Sequence, residues 1–224
     1  MSDFRTLMQQ GHDLYMAAAI ARGNVIVWQS NLYQAIGYVS EALLVANENA
    51  EHARAYSQLA EIHQELGDLD SAEKYLRYIF EYVPDDIIAY SHLLQIACLR
   101  YKSLTIAPSE LSLSKRGETG AALKREGRKT LQGHRIDQNA KVLIEKAYSQ
   151  MSMGQLNAAV YIGVLKQTIE FAVPYLIACS KFETVRELYL LVIVGPWHNY
   201  FLTDAVAFDL TTLQVTARRG MSSL

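Results

Sequence analysis

Residues 53–84 read ARAYSQLAEIHQELGDLDSAEKYLRYIFEYVP, and the punctuation inside this stretch decides the fold. The pattern splits at Gly67-Asp68. Before the split, Tyr56, Leu59, Ala60, His63 and Leu66 recur at steps of three and four, which lays one apolar stripe along a helix. After it, Leu69, Ala72, Leu76, Ile79 and Phe80 do the same. Gly67 permits a sharp turn, and Asp68 is placed to cap the second helix. Pro84 stops that helix, and Asp85 or Asp86 caps another. Two amphipathic helices joined by so short a turn must lie antiparallel. Ala60 and Ala72 fall where the pair comes closest, so both positions need small side chains.

Taken together, Tyr56, Leu59, Ala60, Gly67, Ala72 and Pro84 resemble the tetratricopeptide-repeat family's order of aromatic, leucine, small, glycine, alanine and proline. His63, Leu76 and Ile79 depart from it. Upstream, Leu32, Ala35, Val39, Ala42 and Leu43 read as a second-helix pattern, with Asn47 where proline stood. Its first helix spans residues 4–21, with Ala17, Ala18 and Ala19 for close approach. The connection ARGNVIVWQS is longer than the family's turn. Downstream, Tyr90, Leu93, Leu94 and Ala97 keep the register of Tyr56, Leu59, Ala60 and His63. The resemblance covers residues 30–102 well and 139–171 weakly. It implies an all-α fold of stacked antiparallel helical hairpins, a right-handed α-solenoid with a C-terminal capping region.

Around this module the composition changes. The net charge of −2 over 224 residues excludes a uniformly basic nucleic-acid binder. It is a cancellation. Residues 41–86 are acidic, whereas Lys115, Arg116, Lys124, Arg125, Arg128, Lys129 and Arg135 face few acids. Residues 103–138 therefore read as a basic insert between repeats at 1–102 and degenerate repeats at 139–224. Three readings compete for it: a solvated linker, a basic segment docking on an acidic protein surface, and a nucleic-acid contact. The last is disfavoured, because no aromatic lies between Tyr101 and Tyr148 to stack on bases. Gly117, Gly120, Gly127 and Gly133 argue against a long helix here, leaving a short one over 121–131.

From Asn139 the helical pattern resumes. Leu143, Ala147, Gly154, Leu156 and Ala159 keep the spacing of the first repeat, and Gly163 suggests a closely approaching neighbour. A shorter helical pair then begins near Pro174. One further helix, or a strand, is expected over 204–218, docking through Val206, Leu210, Leu213 and Val215. A helix there would cap the stack.

The chemistry-bearing motifs are missing. No dinucleotide, phosphate-loop, nucleophile-elbow or zinc-protease pattern occurs, and the six histidines show no ligand spacing. Cys98 and Cys179 cannot make a disulfide scaffold and read as buried thiols in a reducing cytoplasm. No catalytic residue, cofactor or metal is expected, and no transmembrane segment. The longest apolar run, residues 188–194, is flanked by Glu187 and Gly195-Pro196 and falls far short of the roughly 20 residues a bilayer needs.

What the family implies is a non-catalytic scaffold, adaptor or assembly factor that holds a peptide or helical segment of another protein. First helices line the inner wall of such a stack. Their non-core face carries Arg54, Ser57, Glu61, Gln64 and Glu65 in one hairpin, and Ile88, Ser91, His92 and Gln95 in the next. That face is mildly acidic to apolar and lacks a clamp for acidic tails. The apolar C-terminal half suggests self-association or membership of a larger complex as the rival reading.

Overall fold

The computed structural model describes residues 3–105 and 115–193, with the backbone path alone for 105, 115–124 and 189–193. Among the described residues all regular structure is helical. In order these are α1 (Phe4–Ile20), α2 (Val25–Val45), α3 (Asn49–Glu65), α4 (Leu69–Tyr82), α5 (Ile87–Thr105), α6 (Lys115–Ser152), α7 (Ala158–Ala178) and α8 (Phe182–Ile193). Two compact units, Met1–Ile96 and Ala97–Leu224, divide within α5.

In the first unit local chemistry sets each boundary. Asp3, Asn24, Asp68 and Asp86 accept hydrogen bonds from the backbone N–H three residues on, at 2.7, 3.3, 3.1 and 2.8 Å. The turn after α3 is a Schellman closure. Asp68 N donates to the His63 carbonyl at 2.9 Å and Gly67 N to the Gln64 carbonyl at 3.0 Å, with Gly67 at φ 79°. The antiparallel hairpin expected over 53–84 is therefore present as α3 and α4.

α1 packs on α2, α3 on α4, and α3 also meets α1 and α2. One core joins Leu7 and Met8 of α1, Leu32 and Val39 of α2, and Leu59 and Ile62 of α3. A second joins Ala53 and Ala60 of α3, Ala72, Leu76 and Ile79 of α4, and Ala89 and Leu93 of α5. Tyr56 and Tyr75 pack against both. They belong to a row of half-buried rings between α3 and α4. His52 stacks on Tyr82 at 4.5 Å, Tyr82 meets Tyr56 at 5.9 Å, and Tyr56 meets Tyr78 at 5.3 Å and Tyr75 at 6.1 Å.

The first hairpin differs from its sequence reading. α2 begins at Val25, so the connection is Ala21–Asn24 and not a long loop. The Asn24 cap and the packing of Trp28 on the first core outweigh the β-branched run at 25–27. Ala18 is buried, but the tightest approach is at Gly11, where a Cβ would lie 2.6 Å from Val39 Cγ2.

In the second unit the long helix is a correction. α6 runs 38 residues from Lys115, through all four of the glycines counted against it. Ile136, Ala140, Leu143 and Ala147 bury one stripe of it completely or nearly so. This anchorage offsets about 1 kcal/mol per interior glycine. The fourth, Gly133, is a contact point: a Cβ there would lie 2.7 Å from Cys179 Sγ. α6 ends on Gly154 in a second Schellman closure, with φ 71° and Gln155 N donating to the Gln150 carbonyl at 2.8 Å.

A second correction concerns Pro174. It lies inside α7, not at the start of a new helix. Buried residues on both sides of it, from Tyr161 to Leu176, hold the helix together across the lost N–H. The following helix begins only at Phe182. Gly163 also reads differently: among the described residues no atom of a neighbouring element lies within 4 Å of where its Cβ would stand. The expected element over 204–218 lies outside the described residues.

Candidate functional site

A groove of about 640 Å³ opens on the first unit. α1 supplies Gln9 and His12, and α3 supplies Arg54, Ser57, Gln58 and Glu61. Ala50, Ala53, Val83 and Ile88 make its apolar wall, and Asp86 stands at the start of α5. The spacing on α3 explains the array: Arg54, Ser57, Gln58 and Glu61 recur at three and four residues, so they share one helix face.

Of the residues expected to line a groove, Arg54, Ser57, Glu61 and Ile88 are brought together here. Glu65 is engaged elsewhere, accepting two hydrogen bonds from Arg22 Nη2 at 2.9 and 3.0 Å. Ser91 is buried, at 7% exposure, and His92, Gln95 and Gln64 are half-buried away from the groove lining. Sequence reasoning missed Gln9, His12, Gln58 and Asp86. The signal for α1 was present, since Gln9 and His12 fall one turn apart on its polar side. Its alignment with α3 depends on a long-range contact that no local pattern contains.

The electrostatics of the groove centre on Glu61. Burial raises its pKa above the ordinary carboxylate range, and a charged His12 pulls the other way. The Gln58 Nε2 amide is buried with no partner among the described residues. The Asp86 carboxylate caps α5 through Ala89 N at 2.8 Å. The arrangement offers an acceptor short of solvent and an unused donor beside apolar walls. No cluster of metal-ligating side chains occurs among the described residues.

His92 plays a different part. Burial lowers its pKa, Asp86 opposes this, and Nδ1 has no partner among the described residues. A lowered folded pKa means the native state holds the ring's second proton less tightly than the unfolded chain does. Its contribution to stability is present above the unfolded value near 6.5 and is lost as pH falls through the window below it. We expect His92→Leu to reduce the drop in thermal midpoint between pH 7 and pH 5. An unchanged drop would show that His92 does not titrate with unfolding.

His63, on the core stripe, is satisfied by Asp68 Oδ2 at 3.2 Å and packs on Tyr75. Cys98 is buried, its thiol pushed up to about 12 by that burial, and its Sγ lies 3.6 Å from the Phe171 carbonyl.

The basic residues are not gathered into a loop. They ride on α6. Arg125 Nε donates to the Leu104 carbonyl at 2.7 Å, and Lys129 pairs with Glu126 at 3.6 Å. Arg128 and Arg135 are exposed. Lys115, Arg116 and Lys124 lie where the backbone alone is described. A smaller apolar cleft of about 270 Å³ lies between α6 and α8 in the second unit, walled by Ala140, Ile144, Tyr148 and Leu188.

Compared with known protein families, with curated proteins and with solved structures, the chain matches none. Over its described residues the protein is all-helical.

Proposed function

We propose that the chain is a non-catalytic protein-interaction scaffold, adaptor or assembly factor built of tetratricopeptide-like hairpins. The observation that carries this reading is the groove. First helices α1 and α3 and the start of α5 contribute to one concave surface, as the inner helices of a stacked hairpin array would. Its occupant is a short segment of another protein, with an apolar side chain against Ala53, Val83 and Ile88 and a basic one at Glu61. A basic residue meets the carboxylate most directly, because ionising Glu61 in a half-buried place calls for a counter-charge.

The test is selection from a random peptide library on the immobilised chain, followed by titration. We expect enriched peptides to share a lysine or arginine next to an apolar residue, and Glu61→Lys to weaken them at least about tenfold. No enrichment, or peptides indifferent to both Glu61→Lys and Ser57→Trp, would remove the reading.

A second reading, a structural subunit held through the second unit, rests on the cleft between α6 and α8 and on exposed Leu131 and Tyr148, at 53% and 54%. Elution of the native chain at its own size from cell extract counts against it. The cytoplasm is the proposed location, on the free thiols Cys98 and Cys179. α7 is long and apolar enough to cross a membrane by length and composition. Its packing against α6 and α8 favours a core helix instead.

A further inference from the structure

α2 carries large apolar side chains on two opposite faces, and among the described residues only one of these faces is covered. Leu32, Ala35, Val39 and Ala42 are buried in the first core. On the far side Ile26, Tyr33 and Leu44 stand 81%, 62% and 85% exposed. At about 100° per residue, Ile26, Ser30, Tyr33, Gly37, Ser40 and Leu44 fall within about 40° of one line. Glu41 is the only charged residue in the helix. Large apolar side chains this exposed on one helix face mark a contact surface.

Gly37 sharpens this. A mid-helix glycine weakens a helix, and no atom of another element among the described residues comes within 4 Å of where its Cβ would be. Gly11 and Gly133 are needed by their neighbours at 2.6 and 2.7 Å, whereas Gly37, like Gly127 and Gly163, has no such neighbour among the described residues.

We infer that this face binds the same face of a second copy of the chain, with the two α2 helices antiparallel. The register follows from the sequence of the stripe. Centred between residues 33 and 37, Ile26 lies level with Leu44 of the second copy, Ser30 with Ser40, and Tyr33 with the gap at Gly37. Large meets large, small meets small, and the aromatic side chain enters the one open position. The face is self-complementary, as a two-fold contact requires. Charge agrees: antiparallel packing keeps the two Glu41 carboxylates about 18 Å apart along the axis, where a parallel pair would set them level. A charged partner finds no counter-charge within the stripe, which favours an uncharged helix like α2 itself. The inference stands apart from the groove and does not depend on it.

Its strength is limited by area. A face about 30 Å long and about 10 Å wide covers about 300 Å² per copy, against about 800 Å² per partner in a standard stable interface. A reversible dimer in the range of about 10–100 µM is expected.

The experiment is sedimentation equilibrium of the full chain from 5 to 500 µM, with thermal melts beside it. The wild type should pass from monomer to dimer. Gly37→Glu should weaken dimerisation at least tenfold while leaving the melt unchanged or higher, since the site is open in the single chain. Ile26→Lys and Leu44→Glu should each weaken it, and the double variant should recover a salt-sensitive dimer, because only antiparallel register places positions 26 and 44 together. A monomer throughout, a dimer indifferent to Gly37→Glu, or no recovery in the double variant would each overturn the proposal. Sedimentation with phosphatidylcholine vesicles by a chain that stays monomeric in solution would overturn it in favour of a lipid surface.

Discussion

Ala72→Trp is expected to lower the melting temperature of the chain by about 10–20 °C, or to leave the first unit unfolded. Ala72 is fully buried and shares a core with Ala60, Leu76 and Ile79, and with Ala89 and Leu93 of α5. An indole there has no room without parting α3 from α4. Separation would also open the row of rings between them. Overpacking by a few methylenes costs about 1–3 kcal/mol, and an indole adds far more volume than that. Calorimetry or circular dichroism checks it, with Arg77→Trp as the control, since Arg77 is 65% exposed. A wild-type melt for Ala72→Trp would refute the hairpin packing described here.

Gly133→Ala should destabilise the second unit, although alanine is the better helix former by about 1 kcal/mol. The reason is the 2.7 Å approach of Cys179 Sγ and the 2.9 Å approach of Cys179 Cβ to the place a Cβ would take. The nearby Thr184–Asp137 hydrogen bond ties α8 to α6 and limits how far the helices can yield. A net loss of about 1–3 kcal/mol is expected. Gly127→Ala, on the same helix with nothing among the described residues within 4 Å, should instead stabilise by up to about 1 kcal/mol. The opposite signs are the check. Adding Cys179→Gly to Gly133→Ala should restore most of the loss, a coupling that a melt of the double variant measures. Equal effects at both glycines would sink the close contact.

The elements that sequence reasoning found share a trait: their determinants are local. Gly67 and Asp68 close α3 and open α4 within a few residues, and Asp86 caps α5 the same way. The elements it missed are decided by distant partners. α6 survives its glycines because Ile136, Ala140 and Leu143 are buried. α7 runs through Pro174 because it is packed on either side. α2 starts early because Trp28 reaches a core made largely by other helices. The groove divides in the same manner. Arg54, Ser57 and Glu61 were legible as one helix face, while Gln9 and His12 join them only through the packing of α1 against α3. Ser91 and His92 were misplaced because α5 is covered on more sides than an amphipathic pattern implies.

The rings between α3 and α4 give this hairpin an optical signature of its own. Of the two tryptophans in the chain, Trp28 lies on α2, outside the row. Tyr56, Tyr75, Tyr78 and Tyr82 are held at fixed tilts with centroids 5.3 to 6.4 Å apart. Tyrosines fixed so closely in an asymmetric array couple their transitions, so their near-ultraviolet dichroism should report the closure of α3 on α4. With Trp197→Phe in place, excitation at the tryptophan edge reports α2 separately. Opening of the repeat and loosening of the first hairpin can thus be followed as two signals in one unlabelled sample.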